Sequence, residues 1–157
     1  MSRPASQRVQ FLPEQPYMIP GSLRDQFPKA REGGVSEERI LRVLRKVHLE
    51  TLTQQIGGLD AEHDWGATLS LGEQQFIAFA RLLLAEPDFA FLDHAASALS
   101  EPQRAEVYQL LASTAISYIS VRDRQPSFLG SHDTLLELRP DGSWSAAPIE
   151  DKHERPH

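Results

Sequence analysis

The string LSLGEQQ at positions 69–75 and the run FAFLD at 89–93 contain the residues whose chemistry is easiest to specify. Ser70 with Glu73 three places on is a capping-box pattern, which predicts a helix N-terminus at Ser70. Such an end presents unpaired backbone N–H groups and a partial positive charge, and so suits an anion. Gly72 has no Cβ and lets a ligand or another backbone approach closely. Asp93 closes the apolar run, and open α/β sheets bind ligands at the carboxyl ends of their strands. His94 follows, an imidazole able to accept a proton near neutral pH. Each feature has a plainer reading. Ser70 would cap its helix with no ligand present, and a lone histidine after a strand is commonly just tolerated. The pairs Asp93/His94 and His132/Asp133 offer oxygen and nitrogen donors, but sequence neighbours point to opposite sides of a backbone. No third ligand is indicated, so no metal centre built on them is expected.

The elements that must position these residues are legible from periodicity and punctuation. VQFL at 9–12 reads as a strand stopped by Pro13, followed by a loop through Pro16, Pro20 and Gly21. Ser36 with Glu37 and Glu38 starts a helix whose Ile40, Leu41, Leu44, Val47 and Leu52 recur at helical spacing to about Gln55. The helix from Ser70 to about Ala85 is apolar around most of its circumference, which predicts burial. Phe89 to Leu92 is continuously apolar and reads as a central parallel strand covered on both faces. Ser100 with Gln103 caps another helix, running to about Ala112. A β-rich run at 116–121 follows, and 134–138 with 143–146 around Asp141-Gly142 reads as a hairpin. The tail EDKHERPH reads as solvated charge. Strand–helix–strand alternation from 89 to 121 indicates an α/β sheet.

Composition sets outer bounds. At 157 residues with 40% hydrophobic and 24% charged residues, the chain can build one domain with a core. A net charge of −6 lacks the basic stripe that nucleic acid would require. Cysteine is absent, which removes disulfides and thiolate metal sites. The most apolar stretch, 76–85, is short and interrupted by Arg81, so no direct membrane insertion is expected. MSRPASQRVQ lacks the apolar core of a secretory signal, and a cytoplasmic location is the default.

The motifs in order resemble one branch of the ATP-binding cassette (ABC) ATPases. FLPEQPYMIPGSLRDQ at 11–26 is similar to that branch's Q-loop region, which reads close to FLPQRPY followed by GSLRDQ or GTLRDQ. Asp64-Trp65, LSLGEQQ, FARLLL, FLD and SAL follow in the branch's order. The branch contains SbmA/BacA-like and YddA-like bacterial transporters and the peroxisomal fatty-acyl transporters, and the resemblance covers about 9–138. It implies a partial P-loop nucleoside-triphosphatase core, α/β with parallel strands, plus an α-helical signature subdomain at about 35–88. The expected domain is 1–148, with a polar tail at 149–157. It implies that Ser70, Leu71, Gly72 and Glu73 face the γ-phosphate of ATP held by a partner domain in a head-to-tail dimer. It implies also that Asp93 holds Mg²⁺ through water.

Departures from the branch are as specific as the matches. No G-x-x-x-x-G-K-[ST] occurs, so the Walker A cradle for β- and γ-phosphates is missing from these residues. The Q-loop glutamine position is Glu14, with Gln15 one place later. The catalytic glutamate position is His94, the last aspartate of SALD is Ser100, and the switch histidine aligns with Asp123, after which Gln125 is an insertion. His132 matches a later histidine of the branch rather than the switch, and Phe76 stands where an arginine usually follows the signature. The resemblance therefore leads to an ABC ATP-binding domain segment that is not an active ATPase alone but could contribute its signature in trans. Its partner would be another ABC ATPase domain or a transporter membrane subunit, at the cytoplasmic face of the inner membrane, with a homodimer as one form. ATP and Mg²⁺ are the family's ligands, and neither is expected to bind the isolated chain tightly. A non-enzymatic dimerisation or regulatory module, or a decayed gene product, is the alternative. Missing first strands would leave apolar sheet surface exposed.

Overall fold

A computed structural model describes residues 8–28, 33–121 and 130–149. Three parallel strands, β1 (Val9–Leu12), β2 (Phe89–Asp93) and β3 (Ser117–Val121), lie in the order β1-β2-β3. Phe11 is level with Phe91, and Phe91 with Ile119. The first crossover carries α1 (Glu37–Lys46), α2 (Glu50–Gln55), α3 (Trp65–Thr68) and α4 (Leu71–Ala85), and the second carries α5 (Glu101–Ala112). Crossovers between parallel strands are right-handed, and both step the same way across the sheet. Both therefore deliver their helices to one face. Leu12, Ala90 and Leu92 point there and are buried.

The other face is bare among the described residues, which corrects the expectation that FAFLD is covered on both sides. Phe89 is 40% exposed and Phe91 36%, and Val9, Phe11, Ile119 and Val121 lie on the same face, all exposed. Period-2 alternation explains why these residues share a side. Phe11 and Phe91 stack on it with ring centroids 5.7 Å apart. The expected exposure of apolar sheet surface is thus present, on β1, β2 and β3.

Helix α4 sits at the centre of the covered side. Its capping box is complete: Ser70 Oγ accepts from the Glu73 amide, and the Glu73 carboxylate accepts from the Ser70 amide at 2.8 Å. Phe76, Ile77, Phe79, Ala80, Leu82 and Leu84 are all buried, and Glu86 ends the helix in left-handed conformation at φ 46°. Ser36 begins α1 as expected, but the helix expected to run on to Gln55 breaks. His48 adopts φ 61°, and the chain restarts as α2 at Glu50. Burial of both Val47 and Leu49 explains the break, because a straight helix would swing one of them off the core. Trp65 is buried in α3 and donates its indole N–H to the Gly21 carbonyl at 2.8 Å, pinning the long loop after β1.

Ser100 and Gln103 close the second capping box at the start of α5. Strands β4 (Thr134–Leu138) and β5 (Trp144–Pro148) pair antiparallel around Asp141-Gly142, where Gly142 takes φ 84° and Ser143 donates to the Asp141 carboxylate. That hairpin forms a separate two-stranded sheet. Among the described residues no helix is long and apolar enough to cross a membrane.

Candidate functional site

Three segments of the chain meet at the N-terminal end of α4. The first is the helix end itself. Ser70 is exposed and the Ser70 and Glu73 amides are consumed by the capping box, which leaves the Leu71 and Gly72 amides without an acceptor among the described residues. These two N–H groups and the positive end of a fifteen-residue helix dipole are what an anion would meet. The Glu73 carboxylate stands at the same end, bonded to Ser70 Oγ at 2.7 Å, and works against a second negative charge. An anion therefore gains most by contacting Leu71 and Gly72 on the side away from that carboxylate.

The second segment is the turn after β2. His94 takes a left-handed φ of 50°, donates its amide to the Val121 carbonyl and folds its ring back onto Asp93. Nδ1 of His94 and Oδ1 of Asp93 are 2.8 Å apart. The acid at the strand end is thus engaged by the imidazole beside it. A cation brought to Asp93 would meet one free oxygen or have to displace that contact. Among the described residues no group of three or more His, Asp or Glu side chains converges on a common point.

The third segment is the loop after β1. Glu14 is exposed and takes part through its backbone: its carbonyl accepts from Gln75 Nε2 at 2.8 Å. The loop is held further along by Arg81, whose guanidinium donates to the carbonyls of Tyr17 and Gln26 and to Gln26 Oε1 at 2.6–2.8 Å. Burial pulls the Arg81 pKa down to about 10, which still leaves it charged at neutral pH. Gln26 is wholly buried and also accepts from the Ile19 amide. In the sequence Arg81 reads only as an interruption of an apolar run. The one charge within the apolar run at 76–85 is the signal that a partner is needed there.

The structure therefore brings Ser70, Leu71, Gly72 and Glu73, the Glu14 backbone and the turn following Asp93 and His94 into one neighbourhood. Asp123 lies outside the described residues, as do Gln125 and residues 150–157 of the tail. His132 is elsewhere, against Tyr108 and Tyr118 and within 2.6 Å of Ser120 Oγ.

Gly72 is informative by what it does not do. A Cβ added there would lie 3.4 Å from the Ala98 carbonyl oxygen and 3.7 Å from Leu99 Cδ2, ordinary contact distances. Nothing among the described residues demands glycine at this position. Gly72→Ala should hold or raise stability, by up to about 1 kcal/mol from reduced unfolded-state entropy, as thermal unfolding would read. A drop of several degrees in Tm would show that the fold itself uses this glycine.

A parallel α/β sheet with its helices on one face and a capped helix end defines the class of fold, and the comparisons specify the family. Residues 1–97 match the ABC transporter family, and the chain belongs to that family. It is similar to an uncharacterised ABC transporter ATP-binding protein of Synechocystis, 40% identical over 95% of this chain and 22% of that protein. The chloroplastic ABC transporter D family member 2 of Arabidopsis is 38% identical, over 83% of this chain and 22% of its own length. The mouse lysosomal cobalamin transporter ABCD4 is 38% identical, over 90% and 24%. A bacterial Atm1-family ABC exporter with ATP bound shares the fold, with a TM-score of 0.68 and 22% identity over 82% of this chain and 23% of the exporter. The chain thus spans less than a quarter of the length of these relatives.

Proposed function

We propose that this chain serves as the signature-bearing part of an ABC ATP-binding domain, completing a nucleotide site on another ATP-binding chain while holding no nucleotide of its own. The observation that carries this reading is the α4 end. Its Leu71 and Gly72 amides are open, and Gly72 is a glycine that internal packing does not require. A γ-phosphate held by the partner would be met by those amides and by Ser70, with Glu73 bracing the turn from behind. ATP supplies the phosphate to be bound and Mg²⁺ its counter-charge. The residues present fit that trans role better than a complete site in cis. These 157 residues hold no Walker A loop, His94 replaces the family's general base, and Asp93 is already engaged by His94. Asp123, at the switch position, supplies no imidazole. The partner is an ABC ATPase domain, docked with it on a transporter membrane subunit at the cytoplasmic face.

Ligand-linked stability tests the proposal, because a ligand raises Tm only by binding the native state. Mg-ATP should leave the Tm of the isolated chain unchanged. Added to a mixture with an intact cassette whose hydrolysis is blocked, it should raise the Tm of this chain, and Gly72→Asp should abolish the rise by placing a carboxylate against the phosphate. A clear Mg-ATP shift on the chain alone would mean that it grips nucleotide itself. No shift in the mixture would favour the second reading, a non-enzymatic dimerisation or regulatory module. The bare apolar face of β1, β2 and β3 is the observation on its side.

A further inference from the structure

Gln75 is fully buried, and its side-chain amide is divided among segments far apart in sequence. Nε2 donates to the Glu14 carbonyl at 2.8 Å and to Ser97 Oγ at 3.0 Å, while Oε1 accepts from the Ala98 amide at 3.0 Å. We propose that Gln75 is a positioning residue that locks the loop after β1, the first turn of α4 and the turn after β2 into one arrangement. The exposed helix end at Ser70–Gly72 then cannot shift without moving both of the others.

The chemistry leaves few substitutes for this amide. Glu14 sits in a loop with no ladder partner, and the Ala98 amide finds no backbone acceptor among the described residues. With an apolar residue at position 75 both would lose this partner, a change comparable to a lost hydrogen bond each. A glutamine offers two N–H donors and an acceptor on one rigid plane, and here all three functions are used. Gln75 also lies three residues after Gly72, on the same side of the helix, and the Ala98 carbonyl is the atom that a Cβ at Gly72 would touch. The tie and the open helix end are therefore joined through one turn of helix and one peptide unit. Arg81 clamps the far end of the same loop and Gln75 its near end. None of this depends on nucleotide meeting the helix end, and the test does not use it.

Residue-resolved amide hydrogen exchange on the full chain reads the tie directly. Gln75→Met, similar in size and apolar, should speed exchange of the Ala98 amide and of the 14–19 loop by about tenfold or more, the equivalent of a buried hydrogen bond. Buried amides at 77–84 should keep their rates relative to global opening. Gln75→Glu separates the two halves. Ionised, it still accepts from Ala98 but cannot donate to Glu14, so Ala98 stays protected while the loop quickens. Protonating the introduced carboxyl restores a donor, and loop protection should return at low pH once intrinsic exchange is corrected for. Unchanged Ala98 and loop rates in Gln75→Met would overturn the proposal. So would a uniform rise across all amides, which marks an ordinary core residue. If the glutamate variant does not fold, the methionine variant alone decides.

Discussion

Replacing Arg81 by methionine should destabilise the fold by about 3–5 kcal/mol, since three carbonyl-type acceptors lose a charged donor and two of them belong to the buried Gln26, where little water can replace it. Gln26 is the reason the loss is concentrated. It is wholly buried, its Oε1 is shared by Arg81 and the Ile19 amide, and its own Nε2 returns to Ile19 and Ser22 carbonyls. Removing the guanidinium leaves the Gln26 backbone oxygen, 2.6 Å from Arg81 Nε, without that donor. Methionine keeps the stem volume, so cavity formation is not what the experiment reads. For a domain of this size the change corresponds to a fall of roughly 6–20 °C in Tm. Arg81→Lys should lie between, because an ammonium on a flexible stem cannot span Tyr17 and both Gln26 oxygens in one geometry. A methionine variant melting within two or three degrees of the parent would show that the loop is held by apolar packing alone.

The second large effect concerns association rather than stability. Val9, Phe11, Phe89, Phe91, Ile119 and Val121 form one apolar patch, exposing an area on the order of several hundred Å², the size at which patches mark interaction surfaces. Parallel sheets elsewhere are buried on both sides, so this face has a strong tendency to be covered. Phe11→Thr combined with Ile119→Thr should cut binding of a hydrophobic dye several-fold and raise the concentration at which the chain stays monodisperse. Both sites are more than half exposed and threonine keeps β-propensity, so Tm should move by no more than a few degrees. Unchanged dye binding and light scattering would mean that the face is already shielded in solution.

Local signals are legible where a residue type dictates a backbone state. Both capping boxes, at Ser70 with Glu73 and Ser100 with Gln103, form as their spacing predicts, and Asp141-Gly142 turns its hairpin. The family frame was equally legible, because its motifs keep their order. What sequence could not show depends on distant partners. The break at His48 carries no glycine or proline to announce it and arises from seating Val47 and Leu49 together. FAFLD looked fully covered because an apolar run records hydrophobicity without recording which neighbours arrive. Gln75 and Arg81 are polar residues on an apolar helix, and only the fold reveals that the Glu14 carbonyl and the two Gln26 oxygens they reach lie in a loop more than fifty residues away. The Asp93–His94 contact needed the left-handed turn at His94, which nothing in the local string specifies.

Strand β1 also sets a timetable. Its neighbour β2 lies 80 residues downstream, and Arg8 closes the junction by donating its amide to the Asp88 carboxylate and its guanidinium to the Glu86 carbonyl. At ribosomal rates of about 5–20 residues per second, VQFL must wait roughly 4–16 s after it is made before its partner exists. Its aromatic and aliphatic side chains and its unpaired peptide groups are open throughout that interval. Slower elongation lengthens the wait and faster elongation shortens it. The speed of translation across the α1–α4 segment therefore sets how long β1 stands without its neighbour.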